Sequence, residues 1–248
     1  MDAIQTLSEN LKRVQNAIGE AALRAGRRPE SVRLVAVTKT FPPAAIRSAW
    51  ELGQRDFGEN RPEEGAAKIP EVQSMLGTMR PIWHMIGPIQ RRKAPLVVAH
   101  FDFIHSVDRP EIAQKLNTLA VAAGKVLPIL LECNISGESS KHGYPVAGWE
   151  QDETVCAAFY AAVAAVGALP GLRLSGLMTM APIVPTAEDA RPIFTSLRAL
   201  RDALRERFPE QSLEQLSMGM SDDFPVAVEE GATLVRVGRA IFGDYHRD

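Results

Sequence analysis

The amino-acid sequence predicts an α/β fold, a (β/α)₈ barrel of the TIM type. Three observations support this prediction: short apolar runs rich in β-branched residues alternate with amphipathic helical patterns, eight such runs can be counted, and the chain has 248 residues. Barrels of this kind commonly occupy that length as one domain. A doubly wound open sheet is the main alternative, and the count of eight strands favours the barrel. We therefore expect a single domain over residues 1–248.

The chain begins with an extra helix, predicted over residues 1–26, because apolar residues from Ile4 to Ile18 recur at spacings of three and four. Most of the strands that follow are runs of Val, Ile, Leu and Phe bounded by glycine, proline or polar residues. They are predicted at 32–38, 55–58, 82–86, 101–107, 128–134, 172–179, 213–217 and 233–237. Seven helices intervene in this pattern, and apolar periodicity places five of them at 43–52, 62–68, 110–123, 148–166 and 187–208. A short helical turn is predicted at 240–243.

The composition excludes several classes of protein. The formal net charge is -2 and the basic residues are spread along the chain, which gives no electrostatic footprint for nucleic acid or an acidic membrane. The short cluster Arg91–Lys93 fits a solvated helix start or an anchor for a small anion better. The histidines lack metal-ligand spacing, so we predict no metal. Two cysteines, no secretory signal after Met1 and no membrane-spanning apolar stretch predict a cytoplasmic protein.

Lys39 is the strongest candidate functional residue. It directly follows the first predicted strand, and in barrels of this type the functional site lies at the carboxyl-terminal ends of the strands. Partial desolvation there would disfavour the charged form of the ammonium and make the amine nucleophilic, as Schiff-base formation requires. The alternative is a lysine that ends a strand and simply reaches solvent.

A phosphate cradle is predicted near the end of the chain. Residues 217–223 place a glycine between serines before a helix, where backbone N–H groups and hydroxyls can converge on an anion, and Gly238 follows the eighth strand. An ordinary turn with an Asp helix cap is the alternative. Arg236 lies within the eighth strand on the same face as Leu234, so an inward guanidinium needs an acceptor. A structural salt bridge or the ring nitrogen of a pyridine cofactor would supply one.

Together these segments resemble, along almost the full chain, the YggS/PROSC family of pyridoxal 5′-phosphate homeostasis proteins. The matching segments are Ala-Val-Thr-Lys-Thr at 36–40, Phe-Gly-Glu-Asn at 57–60, Trp-His-Met-Ile-Gly at 83–87, Asn-Ile-Ser at 134–136 with Glu138, Lys141 and Gly143, Gly-Leu-Met at 176–178, residues 217–223, and Val-Arg-Val-Gly at 235–238 with Ile-Phe-Gly at 241–243. The resemblance implies the barrel of the fold-type III pyridoxal phosphate proteins without their additional β domain. One departure is Arg92, where the family usually has Asn, so we assign it no role.

The resemblance also implies how the cofactor would be held. Lys39 would carry pyridoxal 5′-phosphate covalently as a Schiff base, with Lys141, in a loop expected to be solvated, as the rival lysine. The other implied contacts are Ser217, Gly238 and Arg239 around the phosphate with Met218 and Gly219 in the same loop, Arg236 at the pyridine nitrogen, and Asn60, His84 and Met178 along the pocket.

The function that we expect is a non-catalytic carrier, a monomer that contributes to intracellular homeostasis of pyridoxal phosphate (vitamin B6) and amino-acid balance. Apo-enzymes that use the cofactor are the candidate partners, and no catalytic residue is assigned. The alternative is a racemase or decarboxylase of the same fold type. Such enzymes carry an additional β-rich domain, whereas this chain ends at Asp248, and a proton-transfer partner would be missing. A third hypothesis is a cofactor-free Schiff-base aldolase, whose cradle would hold a sugar phosphate.

Overall fold

Eight parallel strands close into a barrel in the computed structural model, which describes residues 3–243. With one further short strand outside the ring, the described residues form β1 (Arg33–Val37), β2 (Asp56–Glu59), β3 (Ile82–Met85), β4 (Phe103–Val107), β5 (Leu127–Asn134), β6 (Tyr144–Pro145), β7 (Leu172–Met178), β8 (Gln215–Ser217) and β9 (Leu234–Val237). The ring runs β1-β2-β3-β4-β5-β7-β8-β9, and β9 pairs with β1 to close it. β6 is a two-residue strand that pairs with β5 outside the ring. The predicted barrel is therefore confirmed.

Helices cover the outside of the barrel. They are α1 (Ala3–Arg24), α2 (Pro43–Glu51), α3 (Pro62–Leu76), α4 (Ala94–His100), α5 (Pro110–Ala122), α6 (Glu153–Gly167), α7 (Arg191–Arg207), α8 (Phe224–Glu229) and α9 (Arg239–Phe242). Sequence periodicity did not place α4 and α8, because seven and six residues are too few to show a helical period. α3 runs past its predicted end at 68, because Ile69, Val72 and Leu76 continue its buried face through Pro70. Among residues 3–243, no helix is both long and apolar enough to cross a membrane.

The predicted extra helix, α1, packs against α8 and α9 near the end of the chain. Its buried stripe runs from Leu7 to Ala22, whereas Ile4 is 53% exposed. After the helix, Arg27 donates hydrogen bonds to the carbonyl oxygens of Val228 (2.7 Å) and Ala232 (2.8 Å). These contacts join the segment before β1 to the segment before β9, the pair of strands that closes the barrel.

The interior of the barrel is divided between apolar and polar side chains. The apolar cluster consists of Val35, Phe103, Leu130, Met178 and Leu234. The buried polar side chains on the inward-facing positions are Asp56, His84, His105, Glu132, Ser217 and Arg236. Buried polar groups cost free energy unless they are hydrogen-bonded. So many polar side chains inside the barrel therefore indicate that these strands have a functional role.

Candidate functional site

Lys39 lies in the turn that follows β1, at the carboxyl-terminal end of the barrel, and it is half-buried. It continues the alternation of Val35 and Val37 along the strand. β1 pairs with β9, which carries Arg236, and β9 pairs with β8, which leads into residues 217–223. The candidate amine, the guanidinium and the predicted cradle therefore belong to three neighbouring strands.

A buried ion cluster holds both neighbours of the candidate amine. The ammonium of Lys68 on α3 contacts Glu59 Oε1 at 2.8 Å and Glu64 Oε1 at 2.9 Å. It also donates to the carbonyl oxygen of Thr38 at 2.8 Å, and Glu64 accepts from the N–H of Thr40. The side chains of Lys68 and Glu59 are 7% and 0% exposed, so solvent screens their attraction little. Burial raises the pKa of Glu59, and Lys68 opposes that rise.

The backbone of this turn adopts a conformation that its sequence disfavours. Thr40 has a φ of +66°, in the left-handed region that β-branched residues rarely adopt. Its N–H is held by Glu64, so the ion cluster stabilises the conformation in which Lys39 stands at the mouth of the barrel. This cluster was not predicted from the sequence, although the i, i+4 spacing of Glu64 and Lys68 on a helix is a visible signal.

The predicted phosphate cradle, residues 217–223, forms a tight loop between β8 and α8. Gly219 has a φ of +92°, and a Cβ there would lie 2.6 Å from the Cβ of Ala227, so only glycine fits. The carbonyl oxygen of Gly219 accepts from the backbone N–H of Arg236 at 3.0 Å. Gly238 follows β9 on the neighbouring strand, and backbone from both segments lies at the same rim of the barrel.

Two residues expected at the phosphate make buried contacts with other parts of the protein. Met218 is fully buried between the barrel and the helices, and its N–H donates to the carbonyl oxygen of Leu234 at 3.1 Å, so neither group is available to a ligand. Ser217 is fully buried inside the barrel, where its hydroxyl accepts from Arg236 (2.6 Å) and contacts Nδ1 of His105 (2.8 Å). Strand alternation explains both placements, because β8 extends to Ser217 and turns the next side chain outward.

Arg239 and Lys141 lie at the outer part of the rim. Arg239 is ion-paired with Asp222, and its side chain is 52% exposed. Lys141 is more enclosed than a solvated loop would make it: its side chain is 19% exposed, and its ammonium contacts Glu138 Oε2 at 2.5 Å and donates to the carbonyl oxygen of Met180 at 3.1 Å. A carboxylate and a backbone carbonyl oxygen therefore hold the ammonium of Lys141 from two sides.

Arg236 occupies the barrel interior and is only 4% exposed. Its guanidinium donates to the hydroxyl of Ser217 at 2.6 Å and to the carbonyl oxygen of Thr179 at 2.9 Å. Burial lowers the pKa of Arg236 to about 10, and Asp223 and Glu132 oppose that effect. Both hydrogen-bond acceptors are neutral, and a guanidinium offers more N–H groups than two acceptors use. Arg236 therefore keeps charge and donor capacity for a ligand.

The three residues expected along the pocket lie at different depths. Asn60 follows β2 at the rim, and its side-chain amide makes no hydrogen bond to another residue among 3–243. A Cβ on Gly87 would lie 2.1 Å from the carbonyl oxygen of Asn60, so the loops after β2 and β3 meet closely. Met178 belongs to the apolar cluster below the rim. His84 lies deeper, because it pairs with Phe103, the first residue of β4.

Glu132 is a candidate site residue that was not predicted from the sequence. It lies on β5 beside Met178 of β7, is 3% exposed, and its carboxyl group makes no hydrogen bond within the described part of the chain. Burial raises its pKa to about 7; Asp108 adds to this rise, and Arg236 opposes it. A carboxyl group that titrates near neutrality in a protein interior is typical of functional sites. The available signal was a charge within the apolar run Leu127–Asn134.

These groups fit a small anionic ligand that carries an aldehyde and a ring nitrogen, the chemistry of pyridoxal 5′-phosphate. Lys39 supplies an amine, and the Gly219 loop is a backbone cradle that a side chain would fill. Arg236 retains N–H groups inside the barrel, and the amide of Asn60 is available at the rim. Residues 3–243 contain no group of three or more side chains placed to hold a metal ion.

Comparisons with known proteins agree with this chemistry. The family model of the alanine racemase N-terminal domain matches residues 4–246. A pyridoxal phosphate homeostasis protein of Escherichia coli K12 is 43% identical over 246 residues, covering 97% of this chain and 98% of that protein. The structure of PipY from Synechococcus elongatus with PLP bound matches with a TM-score of 0.77 and 37% identity, covering 96% of this chain and 100% of PipY. An alanine racemase of Clostridium difficile shares the fold alone, with a TM-score of 0.68 and 15% identity over 98% of this chain and 57% of the racemase.

Substitution of Lys68 tests the buried ion cluster. Lys68→Met should lower the free energy of unfolding by about 3 kcal/mol or more, because it leaves the buried Glu59 without its partner. Chemical denaturation measures this loss. The double variant Lys68→Met/Glu59→Gln should recover much of it. Arg47→Met is the matched control, since its exposed pair with Glu51 contributes about 1 kcal/mol or less. A double variant as unstable as Lys68→Met would contradict this interpretation.

Substitution of Glu132 should change the pH dependence of stability. The pKa of Glu132 is about 7 in the folded protein and 4.5 in a model peptide, so the folded state binds the proton more tightly than the unfolded state. The stabilisation that this proton gives is fully present below the unfolded pKa and is lost as the pH rises through 7. Glu132→Gln should therefore be more stable than wild type at pH 8, by on the order of 2 kcal/mol, and similar to it below pH 5. Thermal denaturation measures both, with exposed Glu210→Gln as control. A Glu132→Gln protein less stable than wild type at pH 8 would disprove the assignment.

Proposed function

Because the chain belongs to the alanine racemase N-terminal domain family and, within it, to the pyridoxal phosphate homeostasis proteins, we propose that it binds pyridoxal 5′-phosphate at the carboxyl-terminal end of its barrel. The relative PipY has the same fold with this cofactor bound. We propose further that the protein is a carrier, which keeps the reactive cofactor bound and contributes to the balance of vitamin B6 and amino acids.

One observation supports this proposal most strongly: three complementary groups belong to neighbouring strands of one barrel. Lys39 follows β1, Arg236 lies on β9, and Gly219 follows β8. An amine, a cation and a glycine loop match the aldehyde, the ring nitrogen and the phosphate of the cofactor. The three groups together, and no single one of them, match this ligand.

We infer a role for each of these groups. When bound, the cofactor supplies an electrophilic carbon and an electron-withdrawing ring. Lys39 would form the covalent link. Backbone N–H groups near Gly219 and Gly238 would hold the phosphate, with Arg239 on its exposed side. Arg236 would donate an N–H to the ring nitrogen, and because a guanidinium does not release its proton at physiological pH, that nitrogen would stay unprotonated.

This arrangement suits storage better than turnover. A ring with an unprotonated nitrogen is a weaker electron sink, and the curated relative is named for homeostasis and not for a reaction. We therefore propose that the protein catalyses no reaction and that apo-enzymes which need the cofactor receive it. The free cysteines Cys133 and Cys156 suit the reducing cytoplasm, where we expect a single-domain monomer.

A racemase or decarboxylase of the same fold type is the second candidate, and Glu132 favours it. With a pKa of about 7, this buried carboxyl group could give or take a proton near neutral pH, as a general acid or base must. Its carboxyl group is also near enough to Arg236 for their charges to interact. The two candidates share the cofactor and differ in turnover.

The cofactor and its lysine are tested by absorbance. Protein loaded with pyridoxal 5′-phosphate should show a visible band that borohydride abolishes, because the covalent link to Lys39 is reducible. Lys39→Ala should lack this band. Lys141→Ala, which removes the rival lysine, should keep it. A wild-type protein without the band, or a Lys39→Ala protein that keeps it unchanged, would rule out the assignment.

The carrier is separated from the enzyme by proton exchange. Loaded wild-type protein is incubated with amino acids in deuterated water, and loss of the α-proton is followed by NMR. A carrier should exchange it far more slowly than an enzyme, whose turnover is on the order of 1 per second or more. Exchange at that rate would overturn the carrier proposal. Its loss in Glu132→Gln would then support the racemase or decarboxylase.

A further inference from the structure

An unbroken chain of hydrogen bonds crosses the interior of the barrel. Oδ1 of Asp56 on β2 lies 2.8 Å from Nε2 of His84 on β3, and Nδ1 of His84 lies 2.9 Å from Nε2 of His105 on β4. Nδ1 of His105 lies 2.8 Å from the hydroxyl of Ser217 on β8. That hydroxyl accepts from the guanidinium of Arg236 on β9 at 2.6 Å. Five side chains from five strands therefore form one connected system.

One arrangement of protons satisfies every hydrogen bond in this series when both rings are neutral and Oδ1 of Asp56 is an acceptor. Arg236 can only donate, so the Ser217 oxygen accepts from it, and the Ser217 hydroxyl donates its own hydrogen bond to Nδ1 of His105. His105 then carries its own proton on Nε2 and donates to His84. His84 likewise carries its proton on Nε2 and donates to the carboxylate of Asp56. All four bonds therefore point from the guanidinium to the carboxylate.

Burial and nearby charge favour these neutral rings. His84 and His105 are both fully buried. Burial lowers the pKa of His84, an effect that Asp56 opposes and Arg33 reinforces. Burial also holds the pKa of His105 well below its usual range, and the neighbouring His84 and Arg236 add to this. Because protonation of either ring would place a further charge in the interior, the rings stay neutral and the hydrogen bonds keep their single direction.

This series of hydrogen bonds fixes the orientation of two groups near the proposed ligand, Ser217 and Arg236. The proton of Ser217 is directed inward to His105, so this hydroxyl is not available as a donor to a phosphate. The guanidinium of Arg236 is held between Ser217 and the carbonyl oxygen of Thr179, so its orientation is set from two sides. An apolar interior would give equal or greater stability without any of these polar groups. This indicates that the hydrogen-bonded side chains have a role in ligand binding and not in stability alone.

We propose that His84 and His105 are positioning residues for Arg236: they make Ser217 an acceptor for the guanidinium and thereby fix the N–H that Arg236 presents to the ring nitrogen of the cofactor. This inference rests on the proposed binding of pyridoxal 5′-phosphate. It assigns Ser217 and His84 a role behind the cofactor, in place of the phosphate contact and pocket lining expected from the sequence.

A matched pair of variants tests this proposal. His105→Gln retains a donor for His84 and an acceptor for Ser217, whereas His105→Leu removes both at similar size. The probe is pyridoxal 5′-phosphate labelled with ¹⁵N in the ring, and the readouts are the ¹⁵N chemical shift in the complex and the dissociation constant. Wild type and His105→Gln should give closely similar shifts. In His105→Leu the shift should move toward that of the free, deprotonated cofactor, and affinity should fall roughly tenfold.

Three results would overturn the proposal. The first is an unchanged shift and affinity in His105→Leu, even with a lower melting temperature, because a merely structural role would affect stability alone. The second is a His105→Gln protein that behaves like His105→Leu. If His105→Leu does not fold, Ser217→Ala breaks the next link with a smaller change, and an unchanged shift there is the third. A wild-type protein with no bound signal would instead contradict the proposed cofactor itself.

Discussion

The buried ammonium of Lys68 is the contact on which the geometry of the site depends. It joins the end of β1, through the carbonyl oxygen of Thr38, to Glu59 at the end of β2 and to Glu64 on α3. A charge in this layer must be paired, because an unpaired buried ion costs several kcal/mol. This pairing holds the backbone on both sides of Lys39, so the turn is already ordered before a ligand binds. Ligand binding therefore needs to fix little additional conformational freedom there.

A second polar system lies on the opposite side of the same strands. The Lys68 cluster occupies the layer between barrel and helices, whereas the chain from Asp56 to Arg236 occupies the interior. The two systems meet at the pair β1–β9, because Lys39 follows one strand and Arg236 lies on the other. Alternation of side chains along a strand makes this possible: successive residues serve the two layers in turn. The candidate site is therefore supported from both layers by buried hydrogen bonds and ion pairs.

The barrel could be predicted from the sequence because strand and helix periodicities are local, and so could the position of Lys39 at a strand end and the inward direction of Arg236. The placements of Ser217 and Met218 could not, since they depend on the residue at which β8 ends, and a shift of one residue reverses the two faces. The roles of His105 and the Lys68 cluster depend on partners from distant strands or helices, and no local pattern encodes those contacts.

Peptide mapping tests the central claim, that Lys39 is the lysine that carries the cofactor, most directly. The protein would be mixed with equimolar pyridoxal 5′-phosphate, reduced with borohydride, digested and sequenced by mass spectrometry. We predict a pyridoxyl group on Lys39, with Lys68 and Lys141 unmodified because carboxylates hold both of their ammonium groups. Label on Lys68 or Lys141 with Lys39 unmodified would contradict the claim.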